Sequence, residues 1–124
     1  MTSQILIKNQ AHITRKPLKA DFCTSFWSRL HGLMFRKTLG EHEGILMVQP
    51  HANRLDSAIH MFFMNFDIAV IWADNELRVV DVKYAKRWRP YYAPSKAAKF
   101  VLETHPKRLK DFQVGDQLVV INHG

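Results

Sequence analysis

Apolar and polar residues alternate from Gln4 to Lys8, with Ile5 and Ile7 on one side, the period-2 signature of a half-buried strand. Pro17 interrupts the chain before an extended reading resumes over Leu18 to Phe22. The period then changes. Phe26, Trp27, Leu30 and Leu33 or Met34 recur at helical spacing behind Thr24 or Ser25, either of which can cap an amphipathic helix. Thr38 to Gly44 reads as a surface loop, Ile45 to Val48 as a strand, and Pro50 to Ser57 as a second polar loop.

Ile59 to Phe66 is almost continuously apolar and Ile68 to Trp72 follows after Asp67, so both are predicted as strands buried on two faces in the middle of a sheet. Asp74 and Asn75 supply a turn, and Val80, Val82 and Tyr84 then alternate with Asp81 and Lys83, which predicts a β-hairpin. Pro90 and Pro94 bracket an extended segment, and Ala97 to Glu103 reads as a further strand. Pro106 opens a short helix through Leu109 and Phe112, and the turn Val114-Gly115-Asp116 feeds a closing strand, Gln117 to Ile121. Strands joined by short turns favour antiparallel pairing. The expected fold class is mostly β, or β-rich α+β: a compact antiparallel sheet rolled toward a barrel, with one or two short helices.

Composition narrows the class without changing it. The chain has 124 residues, of which 47% are hydrophobic and 11% aromatic. A chain of this size buries roughly two-thirds of its unfolded surface and needs no disulfides. No linker, repeat or low-complexity tract divides it, so one domain over residues 1–124 is expected. Met1 to Lys8 carries no leader pattern and no window approaches the ~20 apolar residues of a spanning helix, so a cytoplasmic location and no membrane partner are expected.

Several segments, taken in order, resemble domain-of-unknown-function family 192. They are Gly32-Leu33-Met34-Phe35-Arg36, Glu43-Gly44-Ile45-Leu46, Ile59-His60-Met61-Phe62-Phe63-Met64, the Ile68 to Val82 hairpin, Val101-Leu102-Glu103 and Val114-Gly115-Asp116. The resemblance implies a small, mainly prokaryotic protein with a compact β-barrel-like domain, and it implies no activity. One departure stands out. Where such proteins often read Pro-Ile-Asp after the apolar block, this chain reads Asp67-Ile68-Ala69. A site role for that acid is then lost here or moved to Asp67. The resemblance also implies that many such proteins carry a secretion signal; from Met1 to Lys8, none is expected here.

Candidate chemistry is sparse. The lone Cys23 sits among apolar residues and reads as a small core side chain. His42, His51 and His60 are evenly spaced, but no close Cys or His pair of the zinc-site kind is present, so no metal and no cofactor is expected. Ser57 lies near Asp56 and His60 without a nucleophile elbow, and Cys23 has His31 downstream with nothing to orient the pair. The glycines are scattered, so no phosphate loop is present. No catalytic residue is assigned.

What remains is binding. Arg36 beside an apolar wall offers a planar fork for an oxyanion, and with Glu41 and Glu43 nearby it equally suits a loop-tying ion pair. His60 within the apolar run, with Asn65 and Asp67 following, reads as a hydrogen-bonded core histidine or as part of a polar pocket. Trp88 completes the ligand-site candidates: Arg36, Glu43, His60, Asn65, Asp67 and Trp88. The net charge of +7 invites a polyanion or serves solubility. Lys83, Lys86, Arg87, Arg89, Lys96 and Lys99 fall in one stretch without an acid, interleaved with Trp88, Tyr91 and Tyr92, as in a single-stranded nucleic-acid platform. The leading expectation is a non-catalytic module binding a small ligand or a protein. Nucleic-acid binding through residues 83–99 is the second reading, and a small enzyme near His60 and Asp67 the third.

Overall fold

In a computed structural model, which describes residues 3–12, 16–24, 33–34 and 36–122, the alternating segments pair into one sheet. Its strands are β1 (Ser3–Asn9), β2 (Leu18–Cys23), β3 (Glu43–Asn53), β4 (Ile68–Ala73), β5 (Val79–Ala85), β6 (Ala98–Thr104) and β7 (Leu118–Asn122). Two short 3-10 helices, η1 (Gln10–His12) and η2 (Pro106–Asp111), complete the described elements. The strand order is β5-β4-β6-β3-β2-β1-β7. The sheet curls until its two edges meet at the starts of β5 and β7. There Arg78 bridges Gln117, and the Val79 and Leu118 amides donate to the Asp116 and Leu77 carbonyls at 2.8 and 2.9 Å. The result is a half-barrel with few helical residues, the expected β-rich class.

Period-2 alternation sorts the side chains into two cores. The inner face holds Ile5, Ile7, Leu18, Ala20, Leu46, Ala69, Ile71, Leu102 and Leu118, and Phe112 from the chain after η2 packs with them. The outer face holds Cys23, Ile45, Met47, Ile68, Val70, Trp72 and Val101, covered by Leu33, Leu39, Ile59, Met61 and Met64 from the connections. Every residue of β4 is buried, as a strand covered on both faces requires. Cys23 is a buried core residue. At Gly44 a Cβ would sit 2.5 Å from the Glu103 carbonyl oxygen, so the close approach of β3 to β6 demands glycine.

The structure corrects three expectations. Ile59 to Phe66 is not a strand: only Ile59 makes a β-bridge, to Tyr92. The run lacks alternation. Ile59, Met61 and Met64 point into the outer core, whereas Phe62 and Phe63 are exposed and Phe63 takes a left-handed φ of 63°, so the segment turns instead of extending. The sheet is also not wholly antiparallel, because β2 and β3 run parallel from Lys19–Glu43 to Cys23–Met47. Residues 24–42 are long enough for that crossover. Finally, Pro50 to Asn53, read as loop, still belongs to β3. The helix read from Thr24 or Ser25 onward lies largely outside the described residues.

Candidate functional site

The cover of the outer face is an irregular ribbon. The Ile59 and Tyr92 amides donate to each other's carbonyls at 2.8 and 2.9 Å, Met61 donates to Arg89 at 3.1 Å, and Trp88 donates to Met61 at 2.8 Å. Below it, the Trp72 indole N–H donates to the Ser57 carbonyl at 2.7 Å, anchoring the ribbon to β4. The Ser57 hydroxyl donates to the Asn53 carbonyl and is fully buried, so it serves the turn and not a nucleophile's role.

At the tip, the left-handed residues Phe63 (φ 63°) and Trp88 (φ 66°) bring their rings together edge to face, with centroids 5.3 Å apart. The two rings remain 47% and 54% exposed, with Phe62 at 42% and Tyr91 at 57%. Bulky side chains seldom take this backbone conformation, which costs about 1–2 kcal/mol per residue.

A continuous polar network secures the tip from beneath. Asp67 accepts from the Tyr84 hydroxyl at 2.7 Å and from the Arg87 amide at 2.9 Å, and its carboxylate pairs with Arg87 Nε at 3.3 Å. Arg87 Nη1 donates to the Asn65 carbonyl at 3.2 Å, the Asn65 amide to the Arg36 carbonyl at 2.7 Å, and Arg36 Nη2 pairs with Asp21 at 3.0 Å. The Arg87 amide, the Tyr84 hydroxyl and the nearby cations hold the Asp67 carboxyl below its ordinary range, and the same bond raises the Tyr84 hydroxyl.

Arg36, Asn65, Asp67 and Trp88 are thus brought into one neighbourhood, although Arg36 pairs with Asp21 and not with Glu41 or Glu43. Glu43 stands apart, accepting from the Gly40 amide at 2.8 Å. His60 is half-buried in an irregular segment just before the turn at Phe62 and Phe63, not in a strand; its Nδ1 accepts from the Phe62 amide at 3.3 Å, which places the proton of the neutral ring on Nε2. The basic stretch divides. Lys83 donates to the Ala93 carbonyl and lies 5.8 Å from the Trp72 ring, Arg89 stacks on Tyr92 at 5.4 Å, and Lys99 lies over Phe100 at 5.9 Å. Tyr92 belongs to the cover, its hydroxyl accepting from the Lys86 amide at 2.9 Å. Among the described residues, the exposed Lys86 and Lys96 ammonium groups make no ion pair, and no three His, Cys, Asp or Glu side chains gather as a metal site requires.

Three buried charged residues, Glu103, Arg108 and Asp111, escaped the sequence reading. Glu103 is 6% exposed on the outer face of β6, paired in register with Ile45 and Val70, and burial raises its carboxyl to about 7. Its position two residues from Val101 on an apolar stripe was the available signal. Arg108 and Asp111 are both buried and pair with each other at 2.7 Å, an i,i+3 spacing visible in the sequence.

Residues 7–120 match the model of the DUF192 family, described as Uncharacterized ACR, COG1430. The chain belongs to this family. It is 44% identical over 85 residues to the UPF0127 protein TK1120 of Thermococcus kodakarensis, a match covering 68% of this chain and 52% of that one. The UPF0127 protein PYRAB11210 of Pyrococcus abyssi is 32% identical over 115 residues, covering 91% and 95%. Against the Thermococcus kodakarensis relative the chain therefore spans about half the length. A crystal structure of a protein of unknown function from Novosphingobium aromaticivorans superposes with a TM-score of 0.81 at 16% identity, covering 95% of this chain and 84% of that one. A second, from Sinorhizobium meliloti and provisionally described as a transcription regulator, gives 0.83 at 14% identity, covering 97% and 94%. At such identities the likeness shows a shared fold alone. Among the described residues, no helix is long and apolar enough to cross a membrane.

Proposed function

We propose that this DUF192 chain is a non-catalytic protein-binding module whose contact surface is the aromatic tip formed by Phe62, Phe63, Trp88 and Tyr91 with Arg87 and Arg89. The observation that carries the reading is the pair Phe63 and Trp88, two bulky residues in left-handed backbone that keep their rings half exposed. Leu77, also left-handed at φ 64°, turns its side chain onto the inner core, whereas Phe63 and Trp88 bear the same backbone cost and keep their side chains outward. Trp, Tyr and Arg are also the side chains that dominate binding energy at protein interfaces. The network from Tyr84 through Asp67, Arg87 and Asn65 to Arg36 supports the reading by holding the tip rigid, which lowers the ordering cost of association.

The nucleic-acid reading has weaker support. Lys83 and Lys99 are each engaged with a carbonyl or a ring of this chain, which leaves fewer cations to neutralise phosphates. The two readings separate in one experiment: quantitative crosslinking in the native host with the wild type and a Phe63→Ser/Trp88→Ser variant. The proposal expects protein partners whose yield falls at least about tenfold in the variant, the scale of losing one interface hot spot. Partners captured equally by both forms would remove the tip as the contact surface. Nucleic acid recovered in their place, with steep salt dependence, would favour the other reading.

A further inference from the structure

A depression of about 740 Å³ is built from segments unrelated to the aromatic tip: Lys16 before β2, Glu41 and His42 before β3, and η2. Its floor is the Arg108 guanidinium, whose side chain is 9% exposed. Nε donates to Asp111 at 2.7 Å, Nη1 to the Glu41 carbonyl at 3.3 Å and Nη2 to the Lys16 carbonyl at 2.9 Å. These bonds tie three chain segments into one rigid wall. Arg108 Nη1 also lies 3.0 Å from His42 Nδ1. A guanidinium cannot accept a hydrogen bond, so Nδ1 is the acceptor and the proton of the neutral imidazole sits on Nε2.

The charges of this wall do not balance. Its cations are Lys16, Lys107, Arg108 and Lys110, and its acids are Glu41 and Asp111. Arg108 is matched by Asp111, and Lys107 by Glu41 at 3.1 Å. The Lys107 bond also holds the Glu41 carboxyl below its ordinary range. Four cations less two acids leave a formal charge of +2, carried by Lys16 and Lys110, which make no ion pair among the described residues. The wall is rich in donors, while its exposed carboxylate is already bonded.

We propose that this depression binds a small oxyanion carrying two negative charges, a phosphate or a dicarboxylate, between the Lys16 and Lys110 ammonium groups with the His42 Nε2–H as a third donor. The site is independent of the aromatic tip. Arg108 is its positioning residue, because it fixes the His42 tautomer and the spacing of the three segments without needing to touch the ligand.

The test is a two-dimensional amide NMR titration of the full chain with inorganic phosphate and, separately, with succinate, at ionic strength held constant with sodium chloride. The proposal expects saturable shifts at Lys16, His42 and Lys107 to Lys110 with at least one of the two, weakened about tenfold or more in a Lys16→Gln/Lys110→Gln variant as charge-assisted bonds are lost. Glu41→Gln, which releases Lys107, is expected to tighten binding severalfold. A response to phosphate alone assigns phosphorylated ligands, and a response to succinate alone assigns dicarboxylates. Shifts that fail to saturate with either anion, that chloride reproduces, or that persist unchanged in the double lysine variant would overturn the site. The lysines are surface groups, so an undisturbed spectrum of the variant away from η2 shows that its fold is intact.

Discussion

The two faces of the same sheet are built on different plans. The inner face is regular: residues from all seven strands pack one apolar core. The outer face is covered by connections that twist in and out of extended conformation, relies on methionines at positions 47, 61 and 64, buries the Glu103 carboxyl, and ends in a tip with two residues in left-handed backbone. Methionine fills irregular gaps with little demand on geometry, and a buried acid lowers stability wherever it ionises. The contrast teaches that the inner face is built by strand alternation and the outer cover by irregular connections; left-handed backbone serves both, but Leu77 (φ 64°) turns its side chain onto the inner core whereas Phe63 and Trp88 stay half exposed.

Deletion of side-chain volume should separate the two most strongly. Leu102→Ala on the inner face is expected to cost about 2–5 kcal/mol in denaturant unfolding, whereas Phe62→Ala on the tip should cost less than about 1 kcal/mol. Similar losses at both sites would erase the distinction.

The next effect concerns acids, and its sign differs between regions of the outer layer. Glu103 is raised from 4.5 to about 7, so its contribution is fully present below 4.5 and is lost as pH rises through 7. Glu103→Gln should therefore stabilise the protein at pH 8 by roughly 3 kcal/mol, and by far less at pH about 4, as read by unfolding at both pH values. Asp67 is lowered by the Arg87 amide, the Tyr84 hydroxyl and nearby cations, so its contribution is present above its ordinary value of 3.8 and is lost in acid. Asp67→Asn should destabilise at neutral pH by about 1 kcal/mol, the scale of one hydrogen bond, with the difference shrinking as the medium is acidified. A pH profile of opposite sign for either variant would show that its environment has been misassigned.

The inner face was legible in the sequence because its signal is local. Alternation at Ile5 and Ile7, the wholly apolar Ile68 to Trp72 and the Asp74 turn each specify a strand without reference to the rest of the chain. The cover was less legible. Ile59 to Phe66 has the composition of a buried strand, and only tertiary packing decides that Met61 and Met64 turn inward while Phe62 and Phe63 turn out. The parallel pairing of β2 with β3 is set by a crossover whose course local pattern does not reveal. Of the candidate residues, Asn65 and Asp67 stood out because polar groups interrupt an apolar run, yet their partners Arg36, Tyr84 and Arg87 are distant in sequence and emerge only in the fold. Glu103 and Arg108 were missed for a related reason: burial of a charge depends on what covers it.

The central claim is that the strained tip is retained for contact and not for stability, and the unfolding free energy of Trp88→Gly tests it most directly. Glycine at a φ of 66° removes the left-handed strain, about 1–2 kcal/mol, while deleting an edge-to-face contact worth about 0.5–1.5 kcal/mol. The account predicts a variant whose stability lies within about 1 kcal/mol of the wild type. A loss of about 3 kcal/mol or more, the scale of removing a core aromatic, would contradict it and make Trp88 a structural residue.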